Sequence, residues 1–133
     1  GTNMTPENYF TLYNLLIKTI NDFYIRDRDT LLLKIKNNDL IVTLSKEISP
    51  LMLEQQIDNI LMDMINIGLI NGSATSTKMG PIFTFRGLTS KGMEYISSIN
   101  SNTIKNKMKK AIHDEGLPLT IPSLLKVLGK TIC

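Results

Sequence analysis

Apolar positions recur along this chain at helical spacing in most segments and as a β-type run in one. Phe10, Tyr13, Ile17, Ile20 and Tyr24 fall on one face of a helix that runs to about Ile25. Thr5-Pro6-Glu7 marks its start, with a capping hydroxyl, a proline at the first helical position and an acid in the first turn. Arg26-Asp27-Arg28-Asp29 is a polar break, after which Asp29 or Thr30 is placed to cap a short helix from Leu31 to Lys36. Asn37-Asn38-Asp39 has turn chemistry, and Leu40-Ile41-Val42-Thr43-Leu44 reads as one strand or as the entry to the next helix. The clearest element begins near Pro50. From Leu53, the residues Ile57, Ile60, Leu61, Met64 and Ile65 follow at i+4, i+7, i+8, i+11 and i+12, which predicts a helix packed on one side.

Gly68 supplies the left-handed position that closes this helix, and the chain leaves through Leu69-Ile70 as a strand. The polar run from Asn71 to Pro81, followed by Ile82-Phe83-Thr84-Phe85, predicts a two-stranded hairpin with a loose polar tip. Thr89 caps a further helix through Ile99 that carries Met93, Tyr95 and Ile96. Two more stripes lie beyond it: Ile104, Met108, Ala111 and Ile112, stopped at Gly116, then Leu124, Leu125, Leu128 and Ile132, opened by Thr120.

The expected fold is therefore α+β and mostly helical. Residues 4–101 form its body, and residues 102–133 form a basic two-helix appendage that belongs to the same domain or serves as a dimerisation element. At 133 residues, 42% hydrophobic and 20% charged, the chain has the composition of one folded domain. No apolar run approaches the roughly 20 residues that span a bilayer. The first apolar stretch is broken by Asn14 and Lys18, unlike a signal peptide, so a cytoplasmic protein without membrane contact is expected.

Candidate chemistry is sparse. The single cysteine, Cys133, excludes a disulfide framework and a cysteine zinc site, and His113 is the one histidine. Ser123-Leu124-Leu125-Lys126 has the spacing of an acyl-serine motif without its companion motifs. Gly129-Lys130-Thr131 imitates the end of a phosphate loop, but Leu124 stands where that loop needs glycine. No enzyme activity, cofactor or metal is expected.

Charge is more informative. Residues 102–133 hold six lysines against Asp114 and Glu115, whereas residues 1–101 hold nine basic and ten acidic side chains. Attraction to an anionic partner is thus concentrated in the tail.

The order of helix, short strand, helical turn, long helix, hairpin and helix is that of a winged helix-turn-helix domain. Its most telling residues are Met64-Ile65-Asn66-Ile67-Gly68-Leu69-Ile70 and, eighteen residues after Ile70, Leu88-Thr89-Ser90-Lys91-Gly92-Met93-Glu94-Tyr95-Ile96. The pair resembles the Gly-Leu-Ile … Leu-Thr-x-Lys-Gly-x-x-Tyr-Ile signature of bacterial winged-helix proteins, closest to the small YjcQ-like and prophage-borne families of unknown function. The resemblance implies a winged-helix fold, and the function expected on that fold is a DNA-associated, transcription-regulatory one.

In that arrangement the helix before the hairpin would enter the major groove. Its outward positions are read as Glu54, Gln55, Gln56, Asp58, Asn59, Met62, Asp63 and Asn66, with three acids and no base. Gln55, Gln56 and Asn59 suit adenine edges or a protein partner, while the acids repel phosphate. Phosphate contacts are therefore expected from Lys78 and Arg86 on the hairpin and from Lys105, Lys107, Lys109 and Lys110 in the tail. The partner is double-stranded DNA or, alternatively, another protein met by the central helix without DNA. A homodimer through the terminal helices is also expected.

Overall fold

The computed structural model describes residues 4–100 together with Asn106 and Lys110. Over that range the fold is α+β and mostly helical: α1 (Pro6–Asp22), α2 (Arg28–Ile35), α3 (Asp39–Glu47), α4 (Pro50–Asn66), β1 (Ile70–Thr77), β2 (Gly80–Leu88) and α5 (Ser90–Ile99). Each helix opens on a side chain that accepts a backbone N–H left free by the first turn: Thr5, Asp27, Asn38, Ser49 and Thr89. No described helix is long and apolar enough to cross a membrane.

α1 is the central element and packs against α2, α3, α4, α5 and β2. Phe10, Leu12, Tyr13, Leu16, Ile17 and Ile20 are all at most 1% exposed, so its apolar residues are spent inside the chain's own core. The tail half of the expected dimer lies outside the described residues. Tyr13 and Tyr95 meet edge to face, with ring centroids 5.5 Å apart. The Tyr95 hydroxyl donates to Asn14 Oδ1 at 2.6 Å. Burial drives both phenols far above their ordinary range. The Tyr13 hydroxyl is buried without a partner among the described residues. Replacing Tyr13 with phenylalanine should therefore stabilise the fold by about 1 kcal/mol. Thermal denaturation should show a rise of about 4 °C; a fall would mean that the hydroxyl has a partner.

Three local expectations are corrected, and the open choice at Leu40–Leu44 is decided for a helix. The first helix stops at Asp22 rather than near Ile25: Tyr24 adopts φ 51°, leaves the apolar face and is 78% exposed. The cap of α2 is Asp27, not Asp29 or Thr30, because its carboxylate accepts from both the Thr30 N–H (2.8 Å) and the Thr30 hydroxyl (3.0 Å). Leu40–Leu44 lies within α3 and is not a strand. Asn38 caps that helix through the Leu40 N–H at 2.9 Å, and burial of Ile41 and Leu44 on one face outweighs the β preference of Ile41-Val42-Thr43. The hairpin, finally, has no loose tip. β1 runs through Thr77, which pairs with Gly80 across a two-residue turn at Lys78-Met79.

The hairpin is anchored at its root. Phe83 and Phe85 on its inner face are buried and stacked, with centroids 5.9 Å apart. The Phe85 N–H donates to Arg26 O at 2.8 Å, and Asp27 forms a single antiparallel bridge with Thr84. This bridge falls in the segment read from the sequence as a polar break.

The two quoted sequence segments form a single joint. α4 ends in a Schellman closure, in which the Gly68 N–H donates to Ile65 O and the Leu69 N–H to Met64 O, with Gly68 at φ 81°. Thr89 then caps α5 through the Gly92 N–H at 3.0 Å and donates its own N–H to Leu69 O at 3.0 Å. Lys91 Nζ donates to Ile67 O at 3.2 Å, satisfying a carbonyl at the end of α4. Gly92 lies against Leu69 so closely that a Cβ would stand 2.1 Å from the Leu69 carbonyl oxygen. The Gly-Leu-Ile and Leu-Thr-x-Lys-Gly residues thus have an entirely structural explanation: they lock α5 onto the exit of α4.

Candidate nucleic-acid interface

The central helix departs most from its expected electrostatics. Arg28, the first residue of α2, reaches across to α4 and holds two of its acids. Arg28 Nε donates to Asp58 Oδ1 at 2.6 Å, while Nη2 donates to Asp58 Oδ2 and to Glu54 Oε1, each at 3.2 Å. Glu54 and Asp58 are one helical turn apart, so one guanidinium serves both. The arginine side chain is 21% exposed and that of Asp58 18%, against 46% for Glu54, so water screens the Glu54 contact more. Hydrogen bonding to Asp58 is the main reason the guanidinium pKa rises further above its already high value.

Two of the three acids expected to face outward are therefore turned toward Arg28, whose single positive charge offsets one of their two negative charges. Glu54, Gln56, Asp58 and Met62 are half-buried, leaving Leu51, Gln55, Asn59, Asp63 and Asn66 as the exposed residues of α4 beyond Pro50. Over its first three turns this ridge is uncharged. Leu51, Gln55 and Asn59 succeed one another at intervals of four residues, and Leu51 is 66% exposed. Asp63 is the remaining acid, and partial burial raises its carboxyl pKa above the ordinary value. Gln55 and Asn59 thus share one ridge, while Gln56 points aside.

The cations of the proposed interface are distributed. Lys78 sits in the hairpin turn and Arg86 near the root of β2, both exposed. With about 3.3 Å per strand residue, they are separated by about 20 Å or more. Lys110 is helical and exposed. Lys105, Lys107 and Lys109 lie outside the described residues, as do His113, the Ser123–Lys126 segment and Cys133. No cluster of metal-ligating side chains occurs among the described residues. Compared with known proteins, the chain matches no family, no curated protein and no solved structure.

A shallow cleft of about 220 Å³ lies between the start of α2 and the hairpin, with Asp27 and Asp29 on one side and Met79, Pro81 and Ile82 on the other. Met79 is 97% and Ile82 60% exposed, so the hairpin presents apolar as well as cationic chemistry.

Sequence reasoning missed the Arg28 clamp. The one available signal was a pair of acids four residues apart on a helix without a local base, which leaves open which cation from elsewhere would answer them.

Proposed function

We propose that the chain is a DNA-associated, transcription-regulatory winged-helix protein. It holds duplex DNA through phosphate contacts from the hairpin and the basic C-terminal segment, with the uncharged ridge of α4 toward the bases. The observation that carries this reading is the uncharged ridge of Leu51, Gln55 and Asn59, from which the Arg28 clamp turns Glu54 and Asp58 aside while offsetting one of their two charges. The element order supports it as well: α3, a two-residue junction at Ile48-Ser49, α4 and an immediate hairpin match the winged helix-turn-helix arrangement. So does the resemblance of the Gly-Leu-Ile and Leu-Thr-x-Lys-Gly segments to the YjcQ-like and prophage-borne families. Cations about 20 Å apart on the hairpin can meet two separate phosphates of one duplex.

The test is fluorescence anisotropy with a mixed-sequence duplex of about 30 base pairs over a salt series. Binding at micromolar protein should weaken steeply with salt, with a log–log slope of about −5 if Lys78, Arg86, Lys105, Lys107, Lys109 and Lys110 all contribute. Reversing the charge of Lys78 and Arg86 together should reduce the slope by about 2, and reversing Lys107, Lys109 and Lys110 by about 3. Absence of binding at low salt would overturn the proposal. It would favour the second reading, a protein-interaction module, for which exposed Met79 and Ile82 on the hairpin are the specific support.

A further inference from the structure

A second site lies away from this interface, in a groove of about 340 Å³ along α1. That volume is at the lower end of the range for small-molecule pockets. Its walls divide by chemistry: Phe10, Leu15 and Ile99 supply apolar surface, and Asn14, Lys18 and Asn38 supply polar groups.

The orientation of both asparagines is determined by bonds made elsewhere. Asn14, 8% exposed, uses its Oδ1 to accept the Tyr95 hydroxyl, which leaves its amide N–H groups without a partner among the described residues. Asn38 uses its Oδ1 to accept the Leu40 N–H as the cap of α3, so its amide N–H groups are likewise uncommitted among the described residues. Lys18, one turn beyond Asn14, adds an ammonium group that forms no ion pair there. The remaining polar residue, Thr11, donates its hydroxyl to Glu7 O at 2.9 Å. No carboxylate lines the groove among the described residues. Two amides with uncommitted N–H groups and one ammonium group therefore surround an apolar floor.

We infer that this groove binds a small organic carboxylate carrying an apolar body. The carboxylate oxygens accept from Lys18 Nζ and from the amide N–H groups of Asn14 and Asn38, and the apolar part lies against Phe10, Leu15 and Ile99. Charge-assisted bonds favour an anion over a neutral ligand of the same shape. Because Asn14 is bonded to Tyr95, occupancy bears directly on the contact between α1 and α5.

The asparagine side-chain amides report on this without any assay of activity. In ¹H–¹⁵N spectra of the full chain, octanoate at millimolar concentration should move the side-chain NH₂ resonances of Asn14 and Asn38 and the backbone amides around Lys18. Octanol, of equal chain length but uncharged, should bind at least about tenfold more weakly, as should octanoate to the Lys18→Glu variant. Equal shifts with octanol would overturn the assignment of a carboxylate. Absence of movement at the Asn14 and Asn38 side chains, or shifts confined to other parts of the chain, would overturn the site.

Discussion

Gly92→Ala is expected to lower stability by about 3 kcal/mol and the midpoint of thermal unfolding by about 12 °C. The added methyl would stand 2.1 Å from the Leu69 carbonyl oxygen and 3.1 Å from both the Leu69 carbonyl carbon and Leu88 Cγ. The obstacle is backbone, so the strain can be relieved only by moving α5 off the end of α4. That movement would also stretch the Thr89 N–H bond to Leu69 O and the Lys91 contact with Ile67 O. Gly68→Ala provides the comparison. Gly68 has open space around its Cβ position but a φ of 81°, so alanine there should cost about 1 kcal/mol, from the backbone conformation alone. Equal losses at the two positions, measured by chemical denaturation, would refute the packing argument.

Arg28→Ala is expected to cost about 2 kcal/mol and to weaken DNA association together with it. The substitution strands Asp58, whose side chain is only 18% exposed, beside Glu54 with no other ion pair to either among the described residues. Removing one partner of a partly buried ion pair costs more than the pair contributes, because the remaining charge stays desolvated. Neutralising the acids in the same background, as Arg28→Ala with Glu54→Gln and Asp58→Asn, should therefore recover more than half of the lost stability. Recovery of duplex affinity by the same triple variant would tie the clamp to the interface through charge. If the single and triple variants were equally unstable, the role of Arg28 would be packing by its aliphatic stem.

These effects differ in how far the sequence discloses them. α1, α4 and α5 were legible because their apolar residues repeat at helical spacing next to recognisable caps at Thr5 and Thr89 and a stop at Gly68. α3 was ambiguous because Ile41-Val42-Thr43 prefers strands locally, and only burial of Ile41 and Leu44 against other elements decides for a helix. The extent of β1, to Thr77, was hidden for the opposite reason. Asn71–Thr77 carries no large apolar residue to alternate, and its pairing is imposed by β2, whose Phe83 and Phe85 hold the hairpin to the core. In the interface, the exposed Gln55, Asn59, Lys78 and Arg86 were each visible from spacing. The pairing of Glu54 and Asp58 with Arg28 was not, because the pairs span 26 and 30 residues and no local pattern encodes them.

The connector between α1 and α2 has a consequence for how sequences of this kind can vary. Every residue from Phe23 to Asp27 has an assignment. Phe23 lies under Lys34, whose Nζ is 4.0 Å from the ring centre, and Tyr24 makes the left-handed bend. Ile25 is in the core, Arg26 and Asp27 pair with β2, and Arg28 follows at once with its hold on α4. One inserted residue would slip the pairing with β2 by a place and swing Arg28 about 100° around its helix, away from both acids. The Lys78-Met79 turn has no such obligations and can lengthen freely. Homologous chains should accordingly keep the length of this connector even where its side chains change, and should place their insertions and deletions at the hairpin tip.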